Sequence, residues 1–109
     1  TKNIPIIIFA SLPKSGLEQL TDCTSECISL FWYESIDSSI KLLKNKTAIQ
    51  GSLNPMILKE DNSIIYKEVK TMIEKFENYP GYIFNLGHGI TPDIDPDKVK
   101  FLTDSIREL

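Results

Sequence analysis

The sequence predicts an α/β fold of four strand–helix units in succession, the content of half an eight-stranded parallel barrel. Three observations carry this. Short apolar runs rich in β-branched residues alternate with stretches of helical period. Turn residues punctuate the junctions between them. The 109 residues amount to close to half of the roughly 250 that a complete barrel needs. Alternation of this kind implies a parallel sheet with right-handed crossovers. Four strands could also form a small open sheet, and the residues alone leave both arrangements open.

The first strand is expected over Ile4 to Ala10, a run apolar enough to be buried on both faces. Pro13, Ser15 and Gly16 mark a turn, and Leu17 and Leu20 begin a short helical pattern. A second strand is expected from Cys27 to Trp32. Ser35 then caps a helix whose apolar positions, Ile36, Ile40 and Leu43, are spaced by four and three. Ala48 to Leu53 reads as a shorter third strand, closed by the turn dipeptide Asn54-Pro55. In the longest helix Ile65, Val69, Met72, Ile73 and Phe76 share a face, and charged residues such as Lys67, Glu68, Lys70, Glu74 and Lys75 cover the rest. Asn78-Tyr79-Pro80-Gly81 stops it. The fourth strand, Tyr82 to Leu86, leads into Gly87-His88-Gly89. Asp95 at an N-cap and Pro96 at the first helical position open the last helix, with Val99, Leu102 and Ile106 as its buried stripe.

Composition narrows the function classes. With 41% hydrophobic and 25% charged residues and a net charge of -3, the chain has ordinary globular composition and lacks the basic excess of a nucleic-acid footprint, so no nucleic acid is expected as partner. No apolar run approaches the ~20 residues of a membrane span, so no membrane is expected either. Position 1 is not Met and structure begins almost at once, from which an upstream portion is expected. Cys23 and Cys27 lack the paired spacing of a zinc site and read as reduced, partly buried thiols. Asn45-Lys46-Thr47 fits a glycosylation pattern by coincidence, since no secretory signal accompanies it.

In parallel barrels, function gathers where strands end and helices begin. That rule selects residues 11–16, 32–35, 51–56 and 87–92. In the last of these, two glycines flank the single histidine, allow close backbone approach and free the conformation on either side. An imidazole there titrates near ~6.5 if unperturbed and can donate a hydrogen bond or carry charge. Structural and functional roles for His88 are equally open on this basis. Lys14 and Ser15 read as solvated turn residues in preference to anion contacts. Gln50, Ser52 and Asn54 could meet a ligand or satisfy loop backbone. Trp32 and Tyr33 read as packing between strand and helix rather than as an aromatic wall. Asp93, Asp95 and Asp97 read as charges favoured by a helix N-terminus rather than as a carboxylate site.

Several of these stretches resemble the uroporphyrinogen decarboxylase family, in order and at its spacing. Pro5-Ile6-Ile7-Ile8-Phe9-Ala10 resembles the family's fifth barrel strand. Gln50-Gly51-Ser52-Leu53-Asn54-Pro55 resembles its Q-G-N-L-D-P motif. Phe84-Asn85-Leu86-Gly87-His88-Gly89-Ile90 matches its F-N-L-G-H-G-I, and Pro92, Asp93, Asp95 and Pro96 continue the match. The resemblance covers essentially the whole chain. It implies the C-terminal half of a TIM (β/α)8 barrel, residues 1–109 being one partial domain of the last four βα units.

The implied reaction converts uroporphyrinogen III to coproporphyrinogen III by removing carbon dioxide from four acetate side chains, in haem and tetrapyrrole biosynthesis. It uses no metal and no organic cofactor, because the pyrrole ring serves as the electron sink. By position, His88 is the family's active-site histidine, with a role in binding or proton delivery, and Gly87 and Gly89 shape its loop. The pyrrole-binding aspartate, the arginine loop and a tyrosine would belong to the N-terminal half. That accounts for a chain with a single arginine, Arg107, facing a polyanionic substrate. This segment is expected to be inactive alone and to need the preceding half, or a second copy, to behave well; the full-length form is expected to be a homodimer. The expected compartment is the cytoplasm, with a plastid as the alternative that the heavy use of Ile, Lys and Asn brings to mind.

Departures from the family pattern each remove polarity or charge. Ser11-Leu12 stands in place of Lys-Gly, Phe31 in place of the acid of L-D-W, and Ser52 and Asn54 in place of Asn and Asp. Two other readings therefore stand beside the decarboxylase. One is a corrinoid-linked methyltransferase of the same fold, which needs a zinc-binding His and Cys near the barrel top. The other is a non-catalytic remnant or assembly module.

Overall fold

Extended β-branched segments need partners for their backbone N–H and C=O groups, and here they find them in one another. In the computed structural model, which describes residues 4–9, 26–32, 35–43 and 46–109, four strands form one parallel sheet in the order β1 (Ile7–Phe9), β2 (Cys27–Ser29), β3 (Ala48–Gln50) and β4 (Tyr82–Ile83). An isolated bridge between Leu53 and Leu86 continues the β3–β4 pairing past the strand ends. The helices among the described residues are α1 (Ile36–Leu43), α2 (Asn62–Lys75) and α3 (Pro96–Glu108), with a 3₁₀ turn at Pro55–Lys59. The expected first helix and its turn, with Ser11, Leu12, Lys14 and Ser15, lie outside the described residues, as do Cys23, Tyr33 and Asn45.

Register explains which face is buried. Ile8, Ile28 and Ile49 are aligned across the sheet, and so are Phe9, Ser29, Gln50 and Ile83. Successive side chains of a strand point to opposite faces, so the two rows face opposite ways. The first row enters the core: Ile28 and Ile49 pack with Leu30, Leu53, Leu43 of α1, Ile65, Val69 and Met72 of α2, and Leu102 of α3. Burying one such side chain is worth about 1.5–3 kcal/mol, so this row and α2 fix the register. The second row holds Phe9, 52% exposed, and Ile83, 44% exposed.

The ends of the elements follow the expected chemistry. Ser35 accepts from the Ser38 amide (3.4 Å) through its hydroxyl and from the Ser39 amide (2.9 Å) through its carbonyl. The Asn54 side chain accepts from the Met56 amide (3.0 Å) and opens the 3₁₀ turn. Asp95 caps α3 by accepting from the Asp97 amide (2.9 Å), with Pro96 in the first turn. Replacing such a cap by Ala costs about 1 kcal/mol. Asp95→Ala is therefore expected to lower the unfolding free energy by about that amount, measured by urea titration; an unchanged midpoint would count against the cap.

Two expectations need correction. β1 is not buried on both faces: Ile4, Ile6, Ile7 and Phe9 are all exposed. It stands at the edge of the sheet, with β2 as its only strand neighbour among the described residues, so apolar composition alone did not reveal its burial. All four strands are also shorter than expected, two to three residues each. Residues beyond them still hydrogen-bond across, as Leu30 N does to Gln50 O (2.8 Å), but leave the regular ladder. Cys27 is buried as a free thiol, and burial raises its pKa.

Candidate active site

The carboxyl ends of parallel strands are where a sheet of this class leaves backbone groups and side chains for a ligand. Here the segment following β4 is braced on both sides. The Gly87 amide donates to Leu53 O (2.8 Å), and the Gly87 carbonyl accepts from the Trp32 amide (3.2 Å). The loops after β2, β3 and β4 are thereby stitched together at one residue. A Cβ placed on Gly87 would lie 2.3 Å from the Trp32 nitrogen and 2.4 Å from its Cα. Space, not a left-handed backbone, requires glycine there. Around Gly89 nothing lies within 4 Å of the corresponding position. The glycines with positive φ are instead Gly51 (123°) and Gly81 (120°).

His88 is exposed and lies on the wall of a cleft of about 410 Å³, together with Phe9, Ser29, Gln50, Asn85 and Ile90. Phe9, Ser29 and Gln50 belong to the second row of the sheet, the one facing away from the core, which is why strand register reaches the site. Gln50 donates from its amide nitrogen to the Ser29 hydroxyl (3.0 Å), so the cleft floor carries a neutral, cross-linked polar pair. Above it runs an aromatic chain. Phe9 and Phe31 stack with ring centroids 6.3 Å apart, Phe31 and Trp32 lie 6.1 Å apart, and Phe31 meets His88 edge to face at 5.5 Å and 77°.

The polar candidates after β3 now separate. Gln50 lines the cleft, and Asn54 satisfies loop backbone. The Ser52 hydroxyl is buried without a hydrogen-bond partner among the described residues. Trp32 is 41% exposed and flanks Phe31 but is not part of the cleft wall. The bond to Gly87 O holds the Trp32 backbone at the strand ends. Among the aspartates, Asp95 is the cap and Asp97 lies in the first turn of α3, as the dipole reading requires. Asp93 does something else. It pairs with Lys59 (2.5 Å) and accepts from the Thr91 hydroxyl, and these contacts lower its pKa to about 2. It ties the loop before α3 to the 3₁₀ turn.

Ser29, Asn85, Phe9 and Phe31 had not been singled out as site residues. Ser29 was recognisable as a polar residue inside an apolar strand. Phe31 required the fold, because its partner is 57 positions away in His88. Among the described residues no three His, Cys, Asp or Glu side chains are grouped as metal ligands would be. No helix of the described residues is long and apolar enough to cross a membrane.

Comparison with known proteins places this geometry. The family model for uroporphyrinogen decarboxylase (URO-D) matches residues 1–109. The uroporphyrinogen decarboxylase of Vesicomyosocius okutanii is 38% identical over 104 residues, covering 95% of this chain and 30% of the relative. That of Ruthia magnifica is 35% identical over 107 residues (98% of this chain, 31% of the relative), and that of Alcanivorax borkumensis 33% over 108 residues (99% and 31%). The chain thus spans about 30% of the length of the curated relatives it matches. The parallel sheet with its helices agrees with the TIM-barrel βα units of that family, and with a match along its whole length the chain belongs to the uroporphyrinogen decarboxylase family.

Proposed function

We propose that this chain furnishes the His88 side of the active site of a uroporphyrinogen decarboxylase, as the last four βα units of its barrel. The observation that carries this is the place of His88: on the wall of a cleft at the carboxyl ends of the parallel strands, in a chain of this family. The substrate proposed is uroporphyrinogen III, and the product coproporphyrinogen III. For each acetate, a ring carbon is protonated, the carbon–carboxylate bond breaks with loss of carbon dioxide, the exocyclic carbon so formed takes up a proton to become the methyl group, and the ring carbon gives its proton back. The protonated pyrrole ring accepts the electron pair of the broken bond meanwhile.

Residues of this chain suit part of that task. Phe9 and Ile90 offer apolar surface to the pyrrole rings, and Gln50, Ser29 and Asn85 offer neutral hydrogen-bonding groups. His88 can bind a carboxylate or move a proton at a ring nitrogen, and a proton donor positioned away from bulk water acts strongly. The cations that a polyanion requires, with the pyrrole-gripping aspartate, are assigned to the N-terminal half of the barrel. Covering the exposed β1 edge and the Phe9–Ile83 row is the structural task of that half. A homodimer and a cytoplasmic location complete the proposal. A methyltransferase gains no support from Cys27, which starts β2, at the opposite end of the sheet from His88.

The test is reconstitution. This chain is combined with the N-terminal portion of a related decarboxylase, and carboxylate loss from uroporphyrinogen is followed. Activity is expected only with both parts, and His88→Asn is expected to lower kcat/KM about tenfold, equivalent to ~1.4 kcal/mol. Kinetics unaltered by that substitution between about pH 5 and 8, the range in which an imidazole titrates, would end the role given to His88. A complex that forms but turns nothing over would favour the non-catalytic module.

A further inference from the structure

Among the described residues two contacts, with Phe31 and with the Gly89 carbonyl, bear on the His88 ring and constrain different things. The edge-to-face contact with Phe31, at 5.5 Å and 77°, constrains the plane of the imidazole, because aromatic quadrupoles favour that arrangement over face-to-face stacking. It does not distinguish the ring from the same ring turned by half a rotation, which would exchange Nδ1 with a carbon. The second contact does. Nδ1 lies 3.1 Å from the carbonyl oxygen of Gly89. A carbonyl can only accept, so Nδ1 must carry the proton. In the neutral ring Nε2 is then the bare nitrogen.

Phe31 is itself supported. It stacks with Phe9 and adjoins Trp32, and the Trp32 amide is bonded to the carbonyl of Gly87, the residue before His88. The aromatic chain and the backbone of the histidine loop are therefore one connected unit. We propose that Phe31 is a positioning residue for His88: its ring sets the plane of the imidazole, the Gly89 carbonyl holds the proton on Nδ1, and Nε2 is the nitrogen that works in the cleft. This rests on the reading of His88 as the functional side chain, but its structural half can be measured without turnover.

The chain has a single histidine, so in the reconstituted barrel, with this chain isotope-labelled and the N-terminal portion unlabelled, its two ring-nitrogen NMR signals need no assignment among histidines. In the neutral ring Nδ1 is expected to resonate as a protonated nitrogen and Nε2 as a bare one. Phe31→Tyr, which keeps the ring, is expected to preserve that pattern. Phe31→Leu is expected to shift the signals toward a mixture with the Nε2–H form. Should Phe31→Leu fail to fold, Phe31→Met removes the ring with less loss of length. A protonated Nε2 in the native chain would overturn the tautomer, and an unchanged pattern without the Phe31 ring would overturn its positioning role.

Turnover in the reconstituted barrel separates this inference from the functional reading beneath it. The amide of Gln reaches the Nε2 position and that of Asn the Nδ1 position. His88→Gln is expected to retain several-fold more activity than His88→Asn. If Asn equals or exceeds Gln, the choice of nitrogen is wrong while the role of His88 stands. If both match the native chain, His88 has no role and the proposal falls with it.

Discussion

Gly87→Ala is expected to destabilise the fold by about 3 kcal/mol, the upper part of the range for overpacking a filled site. For a chain of this size that corresponds to a melting temperature lower by on the order of 10–20 °C. The new methyl carbon would lie 2.3 Å from the Trp32 amide nitrogen and 2.4 Å from its Cα, well inside contact distance. Its neighbours are the backbone nitrogen and Cα of Trp32 and the Cβ fixed to them, so no rotamer change relieves the clash. Any retreat must lengthen the bond from Trp32 N to Gly87 O, the bond from Gly87 N to Leu53 O, or both. The three loops at the strand ends would separate together.

The matching substitution two residues on, Gly89→Ala, meets open space and is expected to stay within about 0.5 kcal/mol of the native chain. Thermal and urea melts of both variants make the comparison internal. Equal effects at the two positions would show that the brace is not what holds the loops. The site should follow the fold here. Gly87→Ala is expected to disturb the contact of His88 with Phe31, whereas Gly89→Ala leaves it intact.

Those two glycines also show what the sequence could and could not reveal. The pair was recognisable as an invitation to close backbone approach, but the approaching partner is the protein's own Trp32 rather than a ligand. A residue 55 positions away cannot be inferred from local spacing. The helices among the described residues were legible in detail, since their stripes at Ile65, Val69 and Met72 and at Leu102 are written at helical period, and Ser35 and Asp95 act on neighbours within a few positions. The order of strands followed from alternation. Their exposure did not, because Ile7 and Phe9 have the composition of buried residues and sit at an edge. In the site, His88 was legible because it is the single histidine on a strand-end loop. Its aromatic support was not, because Phe9, Phe31 and His88 converge only when three strands are in register.

The second large effect is alkaline destabilisation, and its sign follows from one buried and one half-buried phenol. Tyr79 is buried, and its hydroxyl donates toward Leu43 O (3.0 Å) and Thr47 O (2.6 Å), tying the end of α1 to the approach to β3. Tyr82 stacks on Phe76 at 3.9 Å and donates to Gly51 O. Burial raises both pKa values, with the nearby Cys27 adding to the rise at Tyr79. Ionisation begins near pH ~10 in the unfolded chain and later in the folded one. Stability from these groups is therefore complete below about pH 10 and declines above it, because the unfolded state then binds fewer protons. Each group steepens the decline by up to about 1.4 kcal/mol per pH unit until its own folded pKa is reached. The Cys27 thiol, also raised, starts the decline earlier, from about pH 8.5. Tyr82→Phe makes the argument decisive. At neutral pH it loses a hydrogen bond worth about 1 kcal/mol and is expected to be the less stable protein. Above about pH 11 it no longer bears the cost of a phenol that the unfolded chain can ionise and the folded chain cannot, so it is expected to overtake the native sequence. Urea unfolding of both proteins at pH 7, 9, 10 and 11.5 reads the crossing directly, and parallel declines would mean that Tyr82 ionises as readily in the folded chain as in the unfolded one.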